Sequence, residues 1–444
     1  MRRRRGISFG TIAMLLIACI TLGSTFGVIM AIRKDEGNLS MDAEKLLASV
    51  SELMVMSQRH ANPGPQPASA VSITTVPSTA LPAEAVHNTE SVQDAVITPE
   101  PSTVPSQRHT LNLTFGGSVA LESSVLSGAA YQYSDILSRI SPAVHADLNF
   151  VILETLFTAG NISQKDLIAP IDSLQAVTSA GFDTAILGAQ NALAGGETMA
   201  KETLEALSAN GIRTAGLYTA ENYRPYEILQ INGLQVAVLT YTESLSAASK
   251  RAVSDEATQK SMVHIFDLNA ACTDVAAARA QGADLVLVFL HWGTEDATEP
   301  DAAQKKIAQA LSNAGVDLLL GYNCRNVQPV DFVQSNNDPG HQMLTAWSLG
   351  TLVSEDRDTR AVVSGALVHV QLTQDDATGA INFDKVEYTP TYCWRQEENG
   401  LYPYRVVQSN QSVPEGMIQK QREIIARALV LIQTTMNKGI AVQR

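Results

Sequence analysis

Cysteine is scarce in this 444-residue chain: Cys19, Cys272, Cys324 and Cys393 are all there are, and no two stand in CxxC spacing. That rules against a zinc ribbon or a disulfide framework, although one disulfide with a leftover thiol stays open for the last three. Basic residues are in short supply as well, with 31 Lys and Arg against 45 Asp and Glu and a net charge of −14. Six of the basic residues, and no acidic one, fall in positions 1–34, so the remainder holds 25 basic and 45 acidic residues, a net −20. Non-specific nucleic-acid binding needs basic surface to neutralise phosphates, and it is excluded here.

Charge is missing altogether from residues 7–32, "ISFGTIAMLLIACITLGSTFGVIMAI". This run exceeds the roughly 20 residues needed to span a bilayer. Arg2 to Arg5 precede it and only Arg33 and Lys34 follow before Asp35, which favours a cytoplasmic tail at 1–6 and the rest outside. A cleaved signal peptide has an apolar core of about 7–15 residues and a small-residue cleavage site, which this longer run lacks. "LIAC" at 16–19 resembles a lipoprotein box, but thirteen uncharged, mostly apolar residues follow Cys19. An uncleaved transmembrane anchor is the preferred reading, and all three place the bulk of the chain outside the cytoplasm.

Within the juxtamembrane segment 33–58, residues 41–58 space Leu46, Leu47, Val50, Leu53 and Met54 as one face of a helix. Residues 59–108 hold eight of the seventeen prolines among Ser, Thr, Ala and Gln, the composition of a disordered tether. From Thr110 a repeated grammar begins: helix, glycine, short apolar strand. Gly181, Gly211, Gly282 and Gly315 close four such helices, and strands are expected at 183–188, 212–217, 284–290 and 316–321. Alternating helices and apolar strands imply parallel pairing with crossover helices. Residues 361–393 change to alternating strands, and a last helix follows within 396–444. The expected fold is α/β, a four-layer αββα sandwich of two mixed sheets.

Sites in open α/β folds gather at the carboxyl ends of strands. Those ends carry Ser118 after Gly116 and Gly117, then Glu154, Gln190 with Asn191, and His291 with Trp292 and Glu295. Asn323, Cys324 and Arg325 follow, then Ser348 and Thr351.

This ordered set resembles the capsule-synthesis protein CapA family, also met as the poly-γ-glutamate synthesis component PgsA, whose domain is similar to calcineurin-like metallophosphoesterases. The family reads "FxGDxML", "NLE", "ANNHxxDxG", "HWGxE", "GxHPHxxQP" and "SLGNF". This chain reads "FGGSVAL" at 115–121, "ILE" at 152–154, "GAQNALAGG" at 188–196, "HWGTE" at 291–295, "GYNCRNVQP" at 321–329 and "SLGTL" at 348–352. The order and the flanking phrases "AGFD", "QGAD" and "AGVD" agree over about residues 109–395.

The departures fall on the ligand positions that the resemblance implies. The aspartate of the first motif is Ser118, the asparagine of "NLE" is Ile152, the histidine of "NNH" is Asn191, and the two of "HPH" are Asn323 and Arg325. Glu154, His291 and Glu295 remain. A divalent site needs several N, O or S ligands about one point, and a fixed guanidinium beside it repels a cation. The expectation is a degenerate site with no metal; the alternative is manganese, zinc or iron held by altered ligands. His291 reads either as a retained catalytic or binding residue or as a structural histidine. Glu154 reads as a pocket acid or as the salt-bridge partner of Arg325, the preferred reading, since a buried arginine needs one. A Cys324 nucleophile, or Ser118 acting with His291, lacks a supporting motif.

The function expected is that of a membrane-anchored, catalytically inactive pseudoenzyme that binds or scaffolds in bacterial capsule or poly-γ-glutamate synthesis. Arg325 with Gln190, Asn191 and Asn323 would make a neutral-to-cationic pocket for an anionic cell-envelope polymer. Other membrane proteins are the second class of partner, and an active metal-dependent hydrolase or transferase is the competing reading.

Overall fold

A computed structural model of the chain describes residues 107–160, 167–356, 364–411 and 413–439. The expected anchor at 7–32, the helix within 33–58 and nearly all of the 59–108 segment lie outside these residues. No helix among the described residues is long and apolar enough to cross a membrane.

The chain enters through β1 (Arg108–Val119), α1 (Ser123–Ala129) and β2 (Leu148–Leu153), then a short pair, β3 (Leu156–Thr158) and β4 (Ile168–Pro170). After α2 (Gln175–Thr178) come β5 (Thr184–Ile186), α3 (Gly196–Ala209) and β6 (Arg213–Ala215). The hairpin β7 (Glu227–Ile231) and β8 (Leu234–Thr242) leads to α4 (Ala247–Ala252), α5 (Glu256–Met262) and α6 (Leu268–Ala280). Next stand β9 (Leu285–His291), α7 (Ala302–Asn313), β10 (Leu318–Tyr322), β11 (Val330–Gln334), β12 (Gln342–Ala346) and β13 (Thr351–Val353). The long hairpin β14 (Ser364–Asp375) and β15 (Ile381–Arg395), then β16 (Tyr404–Gln408) and α8 (Gln419–Met436), complete it.

Two mixed sheets result. The first runs β16-β15-β14-β1-β2-β5-β6, with β13 also on β1, and the second runs β11-β12-β10-β9-β8-β7. The helix–glycine–strand units pair in parallel as their grammar requires: β2 with β5, β5 with β6, β9 with β10. Their closing glycines adopt φ of 73° to 96°, the left-handed conformation that ends a helix without a Cβ clash.

Three apolar layers separate four structural ones. Leu113, Phe115, Phe150 and Ile152 of the first sheet meet Val238, Leu287, Phe289 and Leu320 of the second in the central layer. The outer face of the first sheet packs on α1, α3 and the 3-10 turns, and that of the second on α6 and α7. Residues 396–444 are part of this body: β16 extends the first sheet and α8 lies on β14 and β15, burying Ile425, Ala428, Ile432 and Met436.

The aspartates of "AGFD", "QGAD" and "AGVD" have a common task. Asp183, Asp284 and Asp317 each stand just before a strand, and each carboxylate accepts the N–H of a residue in the neighbouring strand: Asn149 at 3.0 Å, Gln235 at 2.7 Å and Val286 at 2.7 Å. The aspartate's own N–H donates back to that residue's carbonyl, at 3.1, 2.8 and 3.0 Å. Asp147 makes the same two-point latch with Asn112. The latch fixes register at the strand start, so the strand tips at the other end line up.

Candidate functional site

Side chains alternate along a strand, so the inner-face residues of each strand point toward the opposite sheet. In β9, Leu285, Leu287 and Phe289 face the central layer, and His291 is next in that series. In β10 the series is Leu318, Leu320 and Tyr322, and Tyr322 is in register with His291. In the first sheet Phe150 and Ile152 are followed by Glu154, and a bulge in β1 brings Ser118 into register with Ile152. Ser118, Glu154, His291 and Tyr322 therefore converge on the inter-sheet space at the strand tips. Alternation alone would have found Tyr322, which the motif comparison passes over.

The electrostatics of this group are those of a desolvated place. Burial holds the Glu154 carboxyl above its ordinary range, while a hydrogen bond from Ser118 and the more distant Arg325 pull the other way. Burial drives His291 down to about 4, so its imidazole is neutral at physiological pH. Its ring meets Tyr322 edge-on with centroids 5.1 Å apart. The Tyr322 hydroxyl is buried with no hydrogen-bond partner among the described residues, and burial and Glu154 both raise its pKa.

The loops above the tips place the remaining expected residues. Asn323 and Arg325 have φ of 96° and 62°, strained for non-glycine residues, and the Asn323 amide donates to the Gly293 carbonyl at 2.9 Å. Arg325 does not form the expected salt bridge with Glu154. Its guanidinium is held by Asp356 and lies 3.9 Å from the exposed Glu295. Within the expected neutral-to-cationic pocket, Asp356, Glu295 and Asp296 all act on the one guanidinium and bring it toward neutral. Gln190 and Asn191 occupy the loop after β5, where the Gln190 carbonyl accepts from Ser246 and Ser249 at 2.9 Å each.

Trp292 points away from the tips, into the layer under α6 and α7. Its indole stacks on Trp347 at 5.8 Å and donates to the Trp347 carbonyl at 3.1 Å. Cys324 is fully buried and its thiol is pushed up to about 12 by burial, the opposite of an activated nucleophile.

This donor set does not fit a divalent metal centre. Glu154 is the one carboxylate of the converging group and His291 the one imidazole, where a two-metal site needs a bridging carboxylate and further ligands for each ion. Among the described residues no three His, Cys, Asp or Glu side chains gather as a metal would require.

Residues 112–356 match the family model described as "Bacterial capsule synthesis protein PGA_cap". That is more than half of the chain, and it takes in all six motif segments. The chain belongs to this family. The PGA_cap region runs from β1 to Asp356, the residue holding Arg325, and leaves β14, β15, β16 and α8 beyond its end. Among curated proteins, a capsule biosynthesis protein CapA of Bacillus anthracis is 27% identical over 220 residues, 49% of this chain and 50% of that protein. A PGA biosynthesis protein CapA of Bacillus subtilis is 24% identical over 161 residues, 36% of this chain and 39% of that protein. The chain thus spans half or less of the curated relatives it matches. Of solved structures, an NAD nucleotidase of Haemophilus influenzae is 11% identical with a TM-score of 0.40, covering 74% of this chain and 61% of that one.

Proposed function

We propose that this PGA_cap protein is a membrane-anchored, non-catalytic component of bacterial capsule synthesis, binding or scaffolding outside the cytoplasm. Family membership supports the role in capsule synthesis, and the charge pattern of residues 1–34 supports the anchor. The observation that carries the loss of chemistry is the composition of the converging tip: Ser118, Glu154, His291 and Tyr322, with an arginine already paired to acids close by. Among the described residues of the tip, an oxyanion meets no cationic side chain that is not already paired to an acid. Because Arg325 rests on Asp356, an anionic envelope polymer would find little free positive charge among the described residues of the tips, and a protein of the same membrane assembly is the better-matched partner.

The test is metal content. The full chain, purified in detergent, is incubated with manganese, zinc and iron, freed of unbound ions, and measured by mass spectrometry. Substoichiometric metal is expected. One or two ions per chain, lost in Glu154→Ala or His291→Ala, would overturn the proposal in favour of a metal-dependent hydrolase or transferase with altered ligands.

A further inference from the structure

Away from the tips, at the opposite end of the sheets, the imidazole of His109 joins three separate segments. His109 is the second residue of β1. Its Nδ1 lies 2.8 Å from the carbonyl oxygen of Asn232, in the turn between β7 and β8 of the second sheet. Its Nε2 lies 3.1 Å from one carboxylate oxygen of Asp376 and 3.2 Å from the other, in the turn between β14 and β15 of the first sheet.

The chemistry of the partners dictates the state of the ring. A backbone carbonyl and a carboxylate only accept hydrogen bonds, and a neutral imidazole has one N–H to give. Both contacts are made together only by the doubly protonated ring. We infer that His109 is a proton-operated clasp, joining the start of β1 to both turns when the imidazole carries two protons and, when it carries one, keeping the shorter contact to the Asn232 carbonyl and releasing Asp376.

The surroundings are shaped to the ring. A Cβ on Gly233 would lie 2.6 Å from its Cε1 and 2.8 Å from its Nδ1, and Gly233 has φ of 86°, so only glycine lets the turn lie against it. The Asn232 side chain donates back to the Thr110 carbonyl at 3.2 Å, and the Asp376 N–H donates to the Gln107 carbonyl at 3.1 Å. The charged groups facing the ring are Asp376 and Asp284, with Arg108 beside it but paired to Asp375 at 3.6 Å. The Asn232 carbonyl and then Asp376 hold the imidazole above its ordinary pKa of 6.5, which agrees with the geometry. A raised value means the clasp is complete below 6.5 and is lost as pH rises through the folded-state value.

The experiment compares the full wild-type chain with Asp376→Ala by hydrogen exchange of residues 229–236 and 374–380, at pH 6 and pH 8.5, corrected for intrinsic exchange. Several-fold faster exchange in the variant is expected at pH 6, and no difference at pH 8.5. The same difference at both values, or none at pH 6, would overturn the clasp. Titration of the His109 Cε1 proton by NMR gives a second reading. A value above 6.5 that falls in Asp376→Ala supports the clasp, and a wild-type value at or below 6.5 sinks it.

Discussion

The Arg325 guanidinium rests on Asp356, and the Ser118 hydroxyl is left to hydrogen-bond Glu154. This division sets the charge balance among the described residues of the tips. Arg325 is about one-third exposed, so its pair with Asp356 is partly screened and contributes about 1 kcal/mol or less. Its larger effect is to cancel the positive charge that an anion would seek. Asp356→Asn is therefore expected to change stability little and to tighten binding of poly-γ-glutamate several-fold at low salt. Fluorescence titration of the full chain with labelled polymer checks this, and equal affinity in both proteins would show that Glu295 and Asp296 neutralise Arg325 without Asp356.

Glu154 makes the opposite demand. Burial raises its pKa, so the ionised form costs the folded state, and that cost appears as pH rises above the ordinary value of 4.5. Glu154→Gln keeps an acceptor for the Ser118 hydroxyl and cannot ionise. Its urea midpoint is expected to equal or exceed that of the wild type at pH 7.5, with the advantage vanishing near pH 4. A variant that is less stable at pH 7.5 would mean that a positive charge stronger than the distant Arg325 compensates the carboxylate.

His291 has the reverse sign. Its folded state favours the neutral ring, with the pKa lowered from 6.5 to about 4, so stability is present above 6.5 and is lost as pH falls toward 4. Each tenfold fall in the proton affinity of the ring corresponds to about 1.4 kcal/mol, which sets the loss at about 3 kcal/mol. His291→Gln removes this titration. Its urea midpoint is expected to change less than that of the wild type between pH 6.5 and 4, and parallel curves would place the acid sensitivity elsewhere.

The parallel pairing of the helix–glycine–strand units is legible in the sequence because their grammar repeats, and the closing glycines behave as their positions require. Four of the tip residues were readable from motif order: Ser118, Glu154, His291 and Arg325. What order cannot convey is partnership. Asp356 lies 31 residues beyond Arg325, past β13, and nothing in local spacing couples them. Trp292 looked like part of the tip because it follows His291, yet strand alternation sends it to the other face. Tyr322 was hidden for the complementary reason: it occupies a variable position of its motif while its parity directs it inward.

The aspartate latches give the most direct link from a phrase in the sequence to stability. Asp317 is buried, accepting from Val286 N–H and, at 2.5 Å, from Arg279, whereas Asp284 serves Gln235 alone at 2.7 Å. Removing one partner of a buried ion pair costs about 3–5 kcal/mol. Arg279 is one-third exposed and keeps its bonds to the Ala283, Asp284 and Gly315 carbonyls, so Asp317→Ala belongs at the lower end of that range. Asp284→Ala strands one N–H beside the strand start, a loss of about 1–2 kcal/mol. Urea denaturation of the two variants should therefore separate by more than about 1 kcal/mol, with Asp317→Ala the weaker protein. If both lose the same small amount, the latches set strand register during folding without adding to the stability of the folded state.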